Sequence, residues 1–132
     1  MQKILVLDDE VRIVEILERF LTRMGYQVLT AYDGEKALEI LKSQEKVDLL
    51  VLDIRMPKLT GIDVLQELKK TGIKLPIIIL SGSLELHKYI DEIKSLGFSE
   101  ESLMYKPVDL FALLDKIKNA LAQTAEDNTT KL

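Results

Sequence analysis

Five short apolar segments alternate along the chain with segments of helical periodicity, and this alternation restricts the fold more than any other feature of the sequence. Each apolar segment is bounded by polar residues, glycine or proline, which is typical of a strand buried on both faces. Such strands, separated by amphipathic helices, predict a parallel sheet covered by helices on both sides. The predicted strands are residues 3–7, 26–31, 49–52 (closed by Asp53), 75–80 and 103–105.

Right-handed crossovers leave few arrangements for five such units, and we predict a doubly wound α/β sheet. Local signals support the helices between the strands. Asp33 is the predicted N-cap of one helix, and Thr60 with Asp63 forms a capping-box pattern before another. The last helix is marked by apolar residues at helical spacing: Phe111, Leu114, Ile117 and Leu121. Phe111 is expected to be a core or partly buried packing residue.

The composition excludes several classes of protein. A chain of 132 residues is expected to form one domain, and it has no apolar run of about 18 residues that would predict a membrane span. The apolar segment after Lys3 is too short for a signal peptide, so we expect a cytoplasmic location. The chain contains no cysteine and one histidine, His87, which excludes disulfides, thiolate chemistry and a site built on several histidines.

The net charge of −4 also restricts the partners. With this acidic balance, the domain by itself is not expected to bind nucleic acid through its phosphates. No membrane partner is expected either.

Polar residues follow the predicted strands at the point where each strand ends. In an open parallel sheet these ends share one edge, where ligands bind. Strand one is followed by Asp8, Asp9 and Glu10, and strand three ends on Asp53. Strand four is followed by Ser81 and strand five by Lys106. We therefore expect acids, a hydroxyl and a lysine to meet at this edge.

Three carboxylates so close together repel one another, and one of them would take up a proton unless a cation bound there. Magnesium prefers carboxylate and water ligands, so Asp8, Asp9 and Asp53 predict an Mg²⁺ site at a solvent-open edge. Lysine holds a phosphate well as a point charge. Together these groups predict a phosphoryl-transfer site in which Asp53 is the nucleophile and forms an aspartyl phosphate.

The same residues belong to a set of motifs that occur in one order along the chain: Asp8-Asp9, Asp53 with Met56-Pro57 and Gly61, Ser81-Gly82, and Lys106-Pro107. In this set, the chain resembles the receiver domain of two-component response regulators over residues 3–122. The resemblance implies a flavodoxin-like (βα)5 fold with strand order 2-1-3-4-5. It also implies that a histidine kinase or a histidine phosphotransfer protein donates the phosphate to Asp53.

The resemblance further implies roles for individual residues. Magnesium would be held by Asp9, Asp53 and the backbone carbonyl of Arg55, with Asp8 acting through water. Ser81 would move toward the phosphoryl group and Lys106 would pair with it. One position departs from the family: Leu103 stands where an aromatic residue usually lies, three residues before the lysine.

We therefore expect a phosphoacceptor signalling domain, not an enzyme, that exists as a monomer or weak dimer and switches its interactions with a downstream protein. A phosphorylation-independent interaction domain and an aspartyl-phosphate phosphatase are the alternatives. Such phosphatases usually carry an acid two residues after the nucleophile, where this chain has Arg55. The receiver domain is predicted to span residues 1–122, followed by a polar tail, residues 123–132, with no output domain in the sequence.

Overall fold

In the residues that it describes, a computed structural model shows five strands, five α-helices and one short 3₁₀ turn. It describes the backbone of residues 1–56 and 58–130, and within these the side chains outside residues 83–87 and 125–130. The strands are β1 (Lys3–Leu7), β2 (Gln27–Ala31), β3 (Leu49–Asp53), β4 (Ile77–Ser81) and β5 (Leu103–Tyr105). The helices are α1 (Val11–Arg23), α2 (Gly34–Lys42), α3 (Gly61–Thr71), α4 (Ser83–Ser95) and α5 (Leu110–Thr130), and the 3₁₀ turn is Glu100–Ser102.

The strands form one sheet in the order β2-β1-β3-β4-β5, and every neighbouring pair is parallel. This arrangement confirms the predicted doubly wound α/β fold and its strand order. The central strand β3 pairs with β1 on one side and with β4 on the other. Leu50 of β3 is opposite Leu5 of β1 and Ile77 of β4. All carboxyl ends of the strands lie along one edge of the sheet.

The core has two layers, one on each face of the sheet. Along β3, Leu50 and Leu52 face the layer covered by α2, α3 and α4, whereas Leu49 and Val51 face the layer covered by α1 and α5. Successive side chains of a strand point to opposite faces, so a strand buried on both sides is apolar throughout. Burial on both faces therefore explains why β1, β3 and β4 show no polar alternation.

The predicted helix starts are present. The Asp33 side chain accepts a hydrogen bond from the Lys36 amide at 2.8 Å and caps α2. Thr60 and Asp63 form the reciprocal capping box of α3. These caps satisfy backbone N–H groups that a helix leaves unpaired in its first turn.

The prediction for Phe111 was wrong. Its side chain is 70% exposed, although its ring meets Phe20 edge-on with centroids 5.6 Å apart. The buried stripe of α5 is centred on Leu113 and Ile117, and Phe111 lies in the first turn at the margin of that stripe. Helical spacing alone places Phe111 near the stripe but does not distinguish its margin from its centre.

The last helix continues as far as Thr130, past the predicted boundary at residue 122, and the division into domain and tail stays a prediction. In the part of the chain that the structure describes, no helix has both the length and the apolar character to cross a membrane. Pro57, Lys131 and Leu132 lie outside the described residues, as does the side chain of His87.

Candidate functional site

The carboxyl edge of the sheet brings together residues from four strands. Asp53 and Ser81 are the last residues of β3 and β4, and Asp8 and Lys106 directly follow β1 and β5. Asp8, Asp53 and Ser81 are the buried polar residues among those that the structure describes. The parallel register aligns the strand ends, and for that reason residues distant in sequence become neighbours.

Lys106 lies between the two buried acids. Its Nζ is 3.1 Å from Asp8 Oδ2 and 3.2 Å from Asp53 Oδ2. The Asp8 side chain is fully buried, whereas the side chain of Lys106 retains 19% of its exposure. An ionised carboxylate is costly to bury without a partner, and one ammonium group here compensates two carboxylates. The sequence predicted Lys106 as a phosphate ligand but did not predict this pairing with the acids.

A third acid lies near the same ammonium group. Glu10 Oε1 is 3.8 Å from Lys106 Nζ, and the Glu10 side chain is 61% exposed. Water screens such a contact, so it contributes much less than the two buried pairs. The Glu10 amide has a clearer role, because it donates a 3.0 Å hydrogen bond to Asp8 Oδ1. The backbone of the residue that precedes α1 therefore holds the Asp8 side chain in place.

The second oxygen of Asp53 is also bound. The Arg55 amide donates a hydrogen bond to Asp53 Oδ1 at 3.3 Å. Asp53 thus has one oxygen directed at the Lys106 ammonium and the other at the loop that follows β3. Among the described residues, no buried side-chain nitrogen or oxygen lacks a hydrogen-bond partner.

The environment shifts the pKa of both central groups. Burial raises the pKa of the Asp53 carboxyl from 3.8 to about 6, and the Asp8 carboxylate adds to this effect, which Lys106 and the Arg55 amide only partly offset. For Lys106, burial alone lowers the pKa, but the Asp53 and Asp8 carboxylates outweigh it and the pKa is raised. At neutral pH the site therefore holds a positively charged lysine beside an acid that is mostly ionised.

The three predicted carboxylate ligands of the metal lie together. Asp8, Asp9 and Asp53 each offer a carboxylate oxygen, and these oxygens are within 4.8 Å of one another. Asp9 is exposed, so the cluster faces solvent on one side. Three carboxylates and one ammonium leave two excess negative charges when all are ionised. This donor set and charge fit Mg²⁺, which prefers oxygen ligands and retains several waters.

A cavity of about 640 Å³ opens over these groups. Besides Asp9, Asp53 and Lys106, its lining includes Arg55, the predicted carbonyl ligand. Glu10, Met56 and Gly82 also line it, and sequence reasoning assigned no role to Met56 or Gly82. The cavity brings solvent to an acid that is itself only 4% exposed. A ligand could therefore reach the Asp53 carboxylate from one side.

Ser81 ends β4, the strand next to β3, and its hydroxyl is bonded to the backbone of the following residue. The Oγ donates to the Gly82 carbonyl oxygen at 2.9 Å. The Ser81 carbonyl accepts a 2.9 Å hydrogen bond from the Lys106 amide, so the two residues are linked through the backbone.

After β2, Tyr32 is exposed and Asp33 caps α2. At β5, Leu103 is half-buried and Tyr105 is 57% exposed.

Comparisons with known proteins identify relatives of this chain. The protein "Probable transcriptional regulator ycf27" of Cyanophora paradoxa is 42% identical over 123 residues, which cover 93% of this chain and 49% of that protein. The "Alkaline phosphatase synthesis transcriptional regulatory protein PhoP" of Bacillus subtilis (strain 168) is 42% identical over 106 residues, 80% of this chain and 42% of that protein. The chain thus spans about half the length of the curated relatives it matches.

A solved structure gives the same result for the fold. The crystal structure of a response regulator receiver domain protein from Clostridium thermocellum is 34% identical to this chain. The TM-score is 0.83, and the match covers 95% of this chain and 98% of that chain. The family described as "Response regulator receiver domain" matches residues 4–118. The chain therefore belongs to the receiver domain family of two-component response regulators.

Proposed function

We propose that the domain receives a phosphoryl group on Asp53 from the phosphohistidine of a histidine kinase or a histidine phosphotransfer protein. One observation carries the proposal: Asp53 is buried by the sheet yet lines an open cavity, with the Lys106 ammonium 3.2 Å from its carboxylate. A buried acid that is accessible from one side can act as a nucleophile. Family membership supports the same role.

In the proposed step, an oxygen of the ionised Asp53 attacks the phosphorus of the phosphohistidine. The new O–P bond forms as the N–P bond breaks, and the histidine ring leaves with the electron pair and is protonated. Asp53 with a pKa of about 6 is mostly ionised at pH 7, as a nucleophile must be. Lys106 is close enough to neutralise charge on the transferred group, which is the main task of a phosphoryl-transfer site.

The acids that surround Asp53 have a second proposed task. Asp8, Asp9 and Asp53, with the backbone carbonyl of Arg55, would hold Mg²⁺. When bound, the cation would supply positive charge for the phosphoryl oxygens. The two excess negative charges that the three carboxylates and Lys106 leave when ionised support this assignment.

Phosphorylation would then redirect Lys106. In the structure its ammonium pairs with Asp8 and Asp53, and a phosphoryl group on Asp53 replaces one of these carboxylates by a more highly charged acceptor. The Ser81 hydroxyl, now bound to Gly82, would turn to the phosphate. Because the Lys106 amide is bonded to the Ser81 carbonyl, movement of either residue is transmitted to the other. A downstream protein partner would bind the conformation of Ser81 and Lys106 that phosphorylation favours.

The test uses the purified chain, Mg²⁺ and a small phosphodonor such as acetyl phosphate. Intact-mass spectrometry should detect one added phosphoryl group in the wild type and none in Asp53→Asn or in the presence of EDTA. Asp115→Asn removes an exposed acid of α5 and is the matched control, expected to react like the wild type. Equal phosphorylation of Asp53→Asn would refute the assignment.

Two further variants separate acceptance of the phosphate from the response to it. Ser81→Ala is expected to be phosphorylated at nearly the wild-type rate while its binding to a phosphorylation-dependent partner weakens. Lys106→Ala is expected to uncouple phosphorylation from partner binding. If the wild type takes up no phosphate and binds no Mg²⁺ by titration, a phosphorylation-independent interaction domain becomes the better description. Steady multiple-turnover hydrolysis of a phosphate ester would instead indicate a phosphatase.

A further inference from the structure

A glycine lies at the contact between the start of α3 and the end of β3. Gly61, the first residue of α3, is buried, and its amide donates a 3.0 Å hydrogen bond to the Ile54 carbonyl oxygen. A Cβ atom at position 61 would lie 2.6 Å from Ile54 Cα and 2.7 Å from the Asp53 carbonyl oxygen. It would also lie 2.6 Å from Leu52 Cδ1. All three distances are shorter than real Cβ contacts, so α3 or the strand end would have to move.

The need for glycine here is steric. Gly61 does not have the left-handed backbone that explains Gly25, Gly72 and Gly97, whose φ values are between 76° and 97°. Two of the three atoms that a side chain at position 61 would meet belong to the backbone of Asp53 and Ile54. Backbone atoms at the end of a central strand cannot rotate aside as a side chain can.

The same stretch of backbone orients the Asp53 carboxylate. The Ile54 amide donates to the Leu80 carbonyl oxygen at 3.1 Å, which continues the ladder between β3 and β4. One residue further, the Arg55 amide donates to Asp53 Oδ1 at 3.3 Å. A displacement of Ile54 would therefore alter the hydrogen bond that holds one oxygen of Asp53.

We propose that Gly61 is a positioning residue for the phosphoacceptor: the absence of a side chain lets α3 pack directly on the Asp53–Ile54 peptide and holds the carboxylate between Lys106 and the cavity. The inference rests on the proposed phosphorylation of Asp53. It adds a residue that makes no contact with the phosphoryl group or the metal and acts only through the backbone of β3. Misplacing a reacting group by about 1 Å can reduce a rate by about 100-fold.

Gly34 offers a matched control. It is the first residue of α2, follows a side-chain N-cap as Gly61 does, and is also buried. A Cβ at position 34 would meet only side-chain atoms within 3.1 Å: Leu59 Cδ2 at 2.8 Å, Leu59 Cβ at 3.1 Å and Val64 Cγ2 at 3.1 Å. The Leu59 Cδ2 atom ends a partly buried side chain and can rotate, and the two contacts at 3.1 Å need a shift of only a few tenths of an ångström. Gly34→Ala therefore crowds a helix start without displacing the phosphoacceptor.

The experiment compares wild type, Gly61→Ala and Gly34→Ala by three measurements. These are the amide ¹H–¹⁵N shift of Arg55 without metal, the Kd for Mg²⁺, and the phosphorylation rate from acetyl phosphate at saturating Mg²⁺. Gly61→Ala is expected to move the Arg55 signal, weaken Mg²⁺ binding and slow phosphorylation by about 10- to 100-fold. Gly34→Ala is expected to leave the Arg55 signal in place and to change both constants less than about twofold, even where its unfolding midpoint falls.

Equal effects of the two variants would overturn the role of Gly61. A wild type that takes up no phosphate would overturn the proposed function instead, so the two failures can be told apart. If Gly61→Ala unfolds, the comparison is repeated in trimethylamine N-oxide, which favours the compact state. A variant that stays unfolded there would assign Gly61 to folding alone and would also overturn the proposal.

Discussion

The strands β3 and β5 both deliver a charged residue to the same site, but they hold it by different means. All five residues of β3 are buried, and the strand pairs with a neighbour on each side. By contrast, β5 has three residues, two half-buried and one exposed, and pairs only with β4. Asp53 is therefore fixed by packing, whereas Lys106 is held by one backbone hydrogen bond and by its ion pairs with Asp8 and Asp53.

This difference suits a switch. Under the proposed function, the group that would take the phosphate needs a fixed position, since reaction depends on alignment. The group that would respond needs a position that charge can change, and a side chain held mainly by ion pairs meets that need. The four predictions below test this contrast between the two strands, from the largest expected effect to the smallest.

The first prediction compares one leucine from each strand. Leu50→Ala in β3 should lower the free energy of unfolding by about 4 kcal/mol, because Leu50 is fully buried and its loss leaves a cavity. Leu103→Ala in β5 should cost only about 1–2 kcal/mol, since Leu103 is only partly buried. Urea unfolding followed by circular dichroism measures both. Equal losses of unfolding free energy in the two variants would contradict the difference in packing between β3 and β5.

The second prediction concerns the charge of Asp53 in metal-free protein. Because folding raises its pKa from 3.8 to about 6, the stability associated with this group is fully present below pH 3.8 and is lost as the pH rises through about 6. Asp53→Asn carries no such charge. With EDTA at pH 7 the variant should be more stable than the wild type by about 2–3 kcal/mol, since one pKa unit corresponds to about 1.4 kcal/mol.

Thermal unfolding of the wild type and Asp53→Asn between pH 4 and pH 7 measures this effect. The difference between the two proteins should be small near pH 4 and should grow up to about pH 6. Added Mg²⁺ should reduce it, because a bound cation stabilises the charged form of the acid. A difference that does not depend on pH would show that the buried charge is not its cause.

The third prediction removes the ammonium group. Lys106→Ala leaves Asp8 and Asp53 without their cation and should destabilise the metal-free protein by about 2 kcal/mol, less than for a fully buried pair because Lys106 is partly exposed. Lys94→Ala is the control. Its ion pair with Glu100 is exposed, and its loss should cost less than about 0.5 kcal/mol. If both variants lose the same stability, Lys106 is an ordinary surface residue.

The smallest effect is expected at the last residue of β5. Tyr105 is 57% exposed, and Tyr105→Ala should change the free energy of unfolding by less than about 1 kcal/mol. Phosphorylation of Asp53 should proceed at the wild-type rate. A loss comparable to that of Leu50→Ala would mean that β5 contributes to the core as much as β3 does.

Much of the fold followed from the sequence for one reason. A strand buried on both faces must be apolar throughout, and an acid or lysine that follows it must then lie at the sheet edge. This reasoning is enough to place Asp53, Ser81 and Lys106 at one site. The helix starts at Asp33 and Thr60 were equally readable, because capping depends on residues close in sequence.

Other features were decided only by the tertiary structure. The pairing of Lys106 with Asp8 spans 98 residues and depends on strand register and side-chain reach, which no local pattern encodes. The steric need for glycine at position 61 arises where α3 crosses the end of β3, and the exposure of Phe111 depends on how α5 is rotated against the sheet. Local pattern thus determined which residues reach the edge, because periodicity and capping act over a few residues. Packing determined how closely they meet, because distances between elements depend on every contact in the core.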